Sequence, residues 1–252
     1  MSKIVFITGA SSGIGAACAR KFAKEGHTLL LNARKVDKLQ TLKTELENAY
    51  STDILLLPFD VRDREAAAKA LATLPEPYQA IDVLVNNAGL ALGMDKEYEG
   101  TEENYDTMID TNITALLMIT RLVVPGMIAR GRGHIINIGS VAGDAAYPGG
   151  SVYCATKAAV KVLSDGLRMD LVETPLRVTN VKPGLVETNF SVTRFGGDKE
   201  RADNVYKGIK PLTGDDIADV VYYAANAPEH VQIAEVLVLA THQASGSLVY
   251  RK

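Results

Sequence analysis

The chain has 252 residues, 47% of them hydrophobic and 23% charged, which suffices for one large α/β domain with a sizeable core. A net charge of −3 gives no basic footprint for nucleic acid or an acidic membrane surface. No apolar run is expected to approach a membrane span, the N-terminus shows no signal-peptide core, and Cys18 and Cys154 lack metal or redox spacing, so the expected setting is the reducing cytoplasm, with no metal.

Ile4 to Ile7 is a continuous apolar run, the pattern of a strand buried on both faces of a parallel sheet. It enters Thr8-Gly9-Ala10-Ser11-Ser12-Gly13-Ile14-Gly15, and a helical pattern follows with Ile14, Ala17, Cys18 and Phe22, stopping at Gly26. Strand, glycine turn and helix form a context for dinucleotide binding. Glycines admit a pyrophosphate close to the backbone, and the helix N-terminus favours its charge. The spacing is G-x-x-x-G-x-G, and Gly9 to Ile14 are the predicted cradle.

Thr28 to Asn32 is the second strand. An NAD site places Asp or Glu near its end to hold the ribose 2′-hydroxyl. Here the chain reads Asn32-Ala33-Arg34-Lys35, with no acid before Asp37. Two adjacent cations suit a 2′-phosphate, so NADP(H) is expected over NAD(H); the other reading is the solvated start of a helix. That helix spans about Val36 to Ala49, with Leu39, Leu42 and Leu46 on one face. The third strand, Ile54 to Phe59, ends at Asp60-Val61, where Asp60 either accepts from an adenine amino group or caps the turn. Asp63 caps the next helix, ending near Pro75. The fourth strand, Ile81 to Val85, ends in Asn86-Asn87-Ala88-Gly89, small residues and amides suited to a ligand crevice.

Thr101 caps a long helix to about Arg130, bent by Pro125, with an apolar excess suggesting a subunit contact. His134 to Ile138 is the fifth strand and leads into Ser140. A loop with Gly143, Pro148, Gly149 and Gly150 follows, then a helix capped by Ser151 and reaching about Glu173. Tyr153 and Lys157, four apart, share one face of it. An ammonium beside a phenol stabilises the phenolate, so the Tyr153 pKa is expected to fall from its reference near ~10. Ser140, brought alongside, is placed to hydrogen-bond a carbonyl oxygen. Arg177 to Val181 is the sixth strand, followed by Pro183-Gly184-Leu185-Val186-Glu187-Thr188. Residues 189–210 are polar and read as a mobile flap, in which Arg194 either pairs with a substrate carboxylate or sulfonate or is merely solvated. Asp215 opens a last helix, Val236 to Leu239 is a seventh strand, and Thr241 to Lys252 shows no period. Strand and helix alternate throughout without a linker. The expectation is a single Rossmann-type α/β domain over 1–252, a doubly wound parallel sheet of about seven strands with helices on both faces.

Thr8-Gly9-x-x-x-Gly13-Ile14-Gly15, Asp60, Asn86-Asn87-Ala88-Gly89, Asn112, Ser140, Tyr153-x-x-x-Lys157 and Pro183-Gly184 resemble, in order and spacing, the motifs of the short-chain dehydrogenases/reductases. The likeness spans essentially the whole chain. It implies a nicotinamide cofactor and interconversion of alcohol and carbonyl. Tyr153 becomes the proton donor, Ser140 polarises the carbonyl, and Lys157 lowers the tyrosine pKa and holds the nicotinamide ribose. Asn112 either holds a relay water or serves as a helix-interior amide. Asn87 lies against the cofactor ribose, and Asp60, Val61, Pro183, Gly184, Val186 and Thr188 lie along the cofactor. Leu84 to Gly93, Met108 to Asn112, Pro125-Gly126-Met127 and Gly133 to Ser140 are similar to the NADP-dependent 3-hydroxy acid dehydrogenases within that family, and to the related sulfoacetaldehyde reductases. The implied substrate is a small anionic carbonyl compound, and the implied assembly is a homotetramer. The tail lacks the Val-Asp-Gly-Gly ending of many 3-oxoacyl-carrier-protein reductases, which lowers that reading. A non-catalytic NADPH-binding sensor would not need Ser140, Tyr153, Lys157 and Asn112 together.

Overall fold

The computed structural model describes residues 2–252. Seven strands form one parallel sheet in the order β3-β2-β1-β4-β5-β6-β7. They are β1 (Ile4–Ile7), β2 (Thr28–Asn32), β3 (Ile54–Leu57), β4 (Val83–Asn86), β5 (His134–Ile138), β6 (Arg177–Pro183) and β7 (Glu235–Val238). The order reverses between β1 and β4, so their C-terminal ends diverge and leave a crevice.

The pleat sorts the core. Val5, Ile7, Leu29, Leu31, Val83 and Val85 pack on one face against α1 (Gly13–Lys24), α2 (Val36–Ala49) and α9 (Gly214–Asn226). Phe6, Leu30, Leu84, Ile135 and Val178 point the other way, against α3 (Arg64–Ala72) and α5 (Ala115–Arg130). Successive residues face opposite helical layers, which is why these strands are apolar throughout rather than alternating. A buried polar tie crosses the second layer: Asn86 Nδ2 donates to Asn137 Oδ1 (2.9 Å), and Asn137 Nδ2 donates to Ser164 Oγ (2.9 Å) on α6 (Ser151–Asp170).

Several expectations shift here. The helix from Thr101 is not uniform. α4 (Glu102–Ile109) gives way to a π-turn at Asp110–Thr114 before α5, and α5 then runs on through Pro125. Together they form a helical stretch, Glu102–Arg130, long and apolar enough to cross a membrane by length and composition, which corrects the expectation that no run approaches that length. Its apolarity has a local reason: Ala115, Ile119, Val123, Val124 and Met127 are buried in the core. Gly150, not Ser151, occupies the N-cap of α6, and Ser151 is its first helical residue. The flap contains two short helices, α7 (Asn189–Arg194) and α8 (Lys199–Asn204). The tail without a period is folded back: Gln243 and Val249 form an antiparallel bridge, and Arg251 donates to the carbonyls of Lys207 (2.6 Å) and Val205 (3.0 Å) beside the flap.

Candidate active site

A cleft of about 740 Å³ opens over the C-terminal ends of the strands, within the usual range for a small-molecule site. At its centre is the turn between β1 and α1. Gly9 and Gly13 adopt positive φ (65° and 54°), and a Cβ on Gly9 would stand 2.9 Å from the Ala88 Cα. Ser12, the N-cap of α1, makes no side-chain cap hydrogen bond, and the first turn carries no acid. The N-terminus of α1 thus meets the cleft with its own N–H groups, a cradle fitted to a pyrophosphate. Gly9, Ser11, Ser12, Gly13 and Ile14 line the cleft. Ala10 does not: it is buried, and its N–H donates to the Asn32 carbonyl (2.8 Å). Asn87 also lines the cleft, but its Nδ2 is committed to the carbonyls of Thr8 (2.9 Å) and Gly9 (3.2 Å), tying β4 to the glycine turn.

At one end of the cleft four cations gather: Arg34, Lys35, Lys38 and Arg62. Asp60 lies among them. Arg62 grips it with Nε (3.1 Å) and Nη2 (2.8 Å), and Arg34 Nη1 stands 3.7 Å away. The hydrogen bonds and charge of Arg62 hold the Asp60 carboxyl below the usual range. Asp60 is thus engaged by arginine rather than free to receive an adenine amino group, or to cap the turn alone. The sequence reading missed Lys38 and Arg62. Arg62 carried a signal, two residues from Asp60, within reach of its carboxylate. Val61, Pro183, Gly184, Val186 and Thr188 line the cleft as expected, and the Thr188 side chain approaches Gly13.

At the other end lie Ser140, Tyr153 and Lys157, all buried. Ser140 ends the β5 connection and caps a 3₁₀ turn, its Oγ accepting from the Ala142 N–H (3.1 Å). That leaves the hydroxyl proton free to be donated. Gly139 permits the crossing, since a side chain there would strike Asn180 and Lys182 of β6. Lys157 Nζ donates to the Ile138 carbonyl (2.8 Å) and stands 6.0 Å from the Tyr153 ring centroid.

The Tyr153 pKa departs from the sequence expectation. Burial pushes the phenol well above its ordinary value, and the Ser140 hydroxyl beside it pulls the other way without winning. The cause is symmetrical. Lys157 is buried too, and burial alone draws its ammonium down to about 8. Four-residue spacing foretold proximity, but in a dry pocket desolvation outweighs the mutual benefit.

Asn112 sits in the π-turn and does not line the cleft. Its Nδ2 donates to the Leu90 carbonyl (2.8 Å) and to Thr156 Oγ1 (3.0 Å), and its Oδ1 accepts from the Leu90 N–H (2.9 Å). Its side chain is the helix-interior amide of the two readings, fixing the loop after β4 to α6.

Arg194 is not a solvated flap residue. Its Nε donates to the Gly93 carbonyl (3.0 Å) and its Nη1 to the Tyr147 hydroxyl (2.9 Å), while Gly93 N–H donates back to the Arg194 carbonyl (2.9 Å). The guanidinium carbon lies 5.8 Å from the Tyr153 ring centroid and 5.4 Å from that of Tyr147. Phe190 packs against Tyr153 with centroids 5.5 Å apart. Tyr147, Phe190 and the tail residue Gln243 line this end and escaped the sequence reading. They lie in loops whose placement depends on tertiary contacts, such as the hydrogen bond from Leu185 N–H to Gln243 Oε1 (2.8 Å).

Residues 3–198 match the family model described as short chain dehydrogenase. The chain belongs to the short-chain dehydrogenase family. It is 45% identical to an NADP-dependent 3-hydroxy acid dehydrogenase of Schizosaccharomyces pombe, over 99% of this chain and 97% of that one. It is 43% identical to a serine 3-dehydrogenase of Agrobacterium fabrum over the full length of both. Among solved structures, the closed form of a serine dehydrogenase complexed with NADP⁺ superposes with a TM-score of 0.92 at 44% identity, covering 99% of this dehydrogenase and 100% of that chain.

Proposed function

We propose that this dehydrogenase interconverts a small 3-hydroxy acid and its 3-oxo acid with NADP(H). The observation that carries the substrate class is Arg194, a fixed cation beside the Tyr153 ring at the end of the cleft away from the Arg34 and Lys35 cluster. The observation that carries the cofactor is the uncapped N-terminus of α1 joined to that cluster, where a 2′-phosphate meets cations and no free acid.

When bound, NADPH supplies the hydride to the carbonyl carbon. Gly9, Ser11 to Ile14 and the α1 N-terminus hold the pyrophosphate; Arg34 and Lys35, with Lys38 and Arg62 nearby, hold the 2′-phosphate. Ser140 donates its free hydroxyl proton as a hydrogen bond to the carbonyl oxygen. Tyr153 gives that oxygen a proton, so the carbonyl becomes an alcohol, and the phenolate left behind is reprotonated from solvent. Lys157 stabilises the phenolate while it lasts. Arg194 takes the carboxylate and sets the reacting carbon against Ser140 and Tyr153. The reverse direction runs the same transfers backwards.

Arg194→Ala tests this reading. Loss of a charge-assisted hydrogen-bonded contact is worth about 1.5–3 kcal/mol. KM for 3-hydroxypropionate is therefore expected to rise on the order of 10- to 100-fold, with little change in the Kd for NADPH. An unchanged KM contradicts the assignment.

The pH dependence follows from the same groups. Tyr153 has its pKa raised, so it is a protonated donor across neutral pH. Oxidation requires the phenolate as base, and its population rises with pH; reduction requires the phenol, already present. The kcat/KM for oxidation is expected to climb from pH 7 to 9, by up to about tenfold per unit, while reduction stays flat or falls. Oxidation independent of pH over this range contradicts Tyr153 as the base.

A further inference from the structure

The 3-hydroxy acid reading admits two kinds of substrate, those with an ammonium group on C2, as in serine, and those without. Resting on that reading, we infer that the cleft selects 3-hydroxy acids without a charged C2 amine.

In a 3-hydroxy acid a single carbon, C2, separates the reacting carbon from the carboxylate. The reacting carbon belongs at Ser140 and Tyr153, and the carboxylate at Arg194. Arg194 has little freedom to retreat, because Nε and Nη1 are tied to Gly93 and Tyr147. Whatever C2 carries is therefore held between the Tyr153 ring and a fixed guanidinium.

The surroundings suit a hydrogen or a methyl. Tyr153 lies in an apolar cluster with Ala91, Met108, Ala142 and Cys154, and Leu90, Tyr147 and Phe190 pack against it. The charged side chains lining this end are the cations Lys157, Arg194 and Arg251. Among the described residues, one carboxylate lines the cleft, Asp60, and it lies at the Arg34 end, gripped by Arg62. The Tyr147 and Tyr153 faces that would otherwise attract an ammonium already lie under the Arg194 guanidinium. An ammonium on C2 would leave water for a place with like charge and no anion beyond the substrate's own carboxylate, which Arg194 takes.

The test compares kcat/KM on the intact enzyme with saturating NADP⁺ for three acids: 3-hydroxypropionate, L-serine and 3-hydroxy-2-methylpropionate. The methyl of the third has about the size of an ammonium and no charge. At pH 7 both uncharged-C2 acids are expected to exceed L-serine by at least ~10-fold, a difference of about 1.4 kcal/mol. The gap should narrow toward pH 9.5 as serine loses its ammonium proton, whereas Tyr153 affects all three acids alike and leaves the ratio untouched. L-serine used as well as 3-hydroxypropionate at pH 7 overturns the inference and leaves the 3-hydroxy acid reading standing. So does a gap that ignores pH, or equal loss with the methyl compound, which would mark size rather than charge. Turnover of none of the three overturns the inference and the reading together.

Discussion

Tyr153→Phe is expected to lower kcat on the order of 10²- to 10⁴-fold, the usual contribution of a positioned acid–base group, while the Kd for NADPH stays near that of the parent. The separation of effects follows from geometry. The ring packs against Phe190 and the cluster around Ala142, and all of that survives in phenylalanine. Only the hydroxyl is lost. The binding elements for the pyrophosphate and 2′-phosphate lie in the glycine turn and at the Arg34 end, and this change leaves them intact. Stopped turnover with retained binding, read by absorbance and by fluorescence titration, is the expected pair of results. Full activity in the variant would remove Tyr153 from the mechanism.

The second large effect belongs to Arg34 and Lys35. Replacing both with alanine is expected to raise the Kd for NADPH about 100-fold or more and to leave that for NADH nearly unchanged. Each cation on a phosphate is worth roughly 1.5–3 kcal/mol, and the lower figure applies because Arg34 is 60% exposed and partly screened. Lys38 and Arg62 remain, so binding should weaken rather than vanish. Losing Arg34 also takes one cation from Asp60, which leaves a less neutralised carboxylate facing the phosphate and acts in the same direction. Equal weakening for both cofactors would mean that the pair steadies the loop instead of reading the 2′-phosphate.

The parts of the fold that were legible in the sequence share one property: their pattern is local. β1, β2, β5 and α2 fall on the expected residues, because continuous apolar runs and a 3.6-residue leucine stripe are written within the segment itself. The glycine turn and the Tyr153–Lys157 pair were equally legible. What was not legible depends on contacts made across the fold. The tail after Thr241 has no period because nothing within it specifies its path; Gln243 and Arg251 are placed by hydrogen bonds to Leu185, Val205 and Lys207. The π-turn at Asp110–Thr114 looks helical in sequence, and the irregularity accompanies Asn112 reaching Leu90 and Thr156. The raised Tyr153 pKa shows the same limit in energetic form. Spacing gives which groups are neighbours, whereas the balance between charge and desolvation depends on how dry the pocket is.

The most direct test of the account is the initial rate of cofactor oxidation, followed by absorbance, with malonic semialdehyde as the 3-oxo acid and NADPH or NADH as donor. The account predicts saturable turnover with NADPH and, at equal low cofactor concentration, a rate about 100-fold lower with NADH, in line with the cation cluster at Arg34 and Lys35. NADPH that binds but is not consumed by malonic semialdehyde would contradict the 3-hydroxy acid reading while leaving the family and the fold in place.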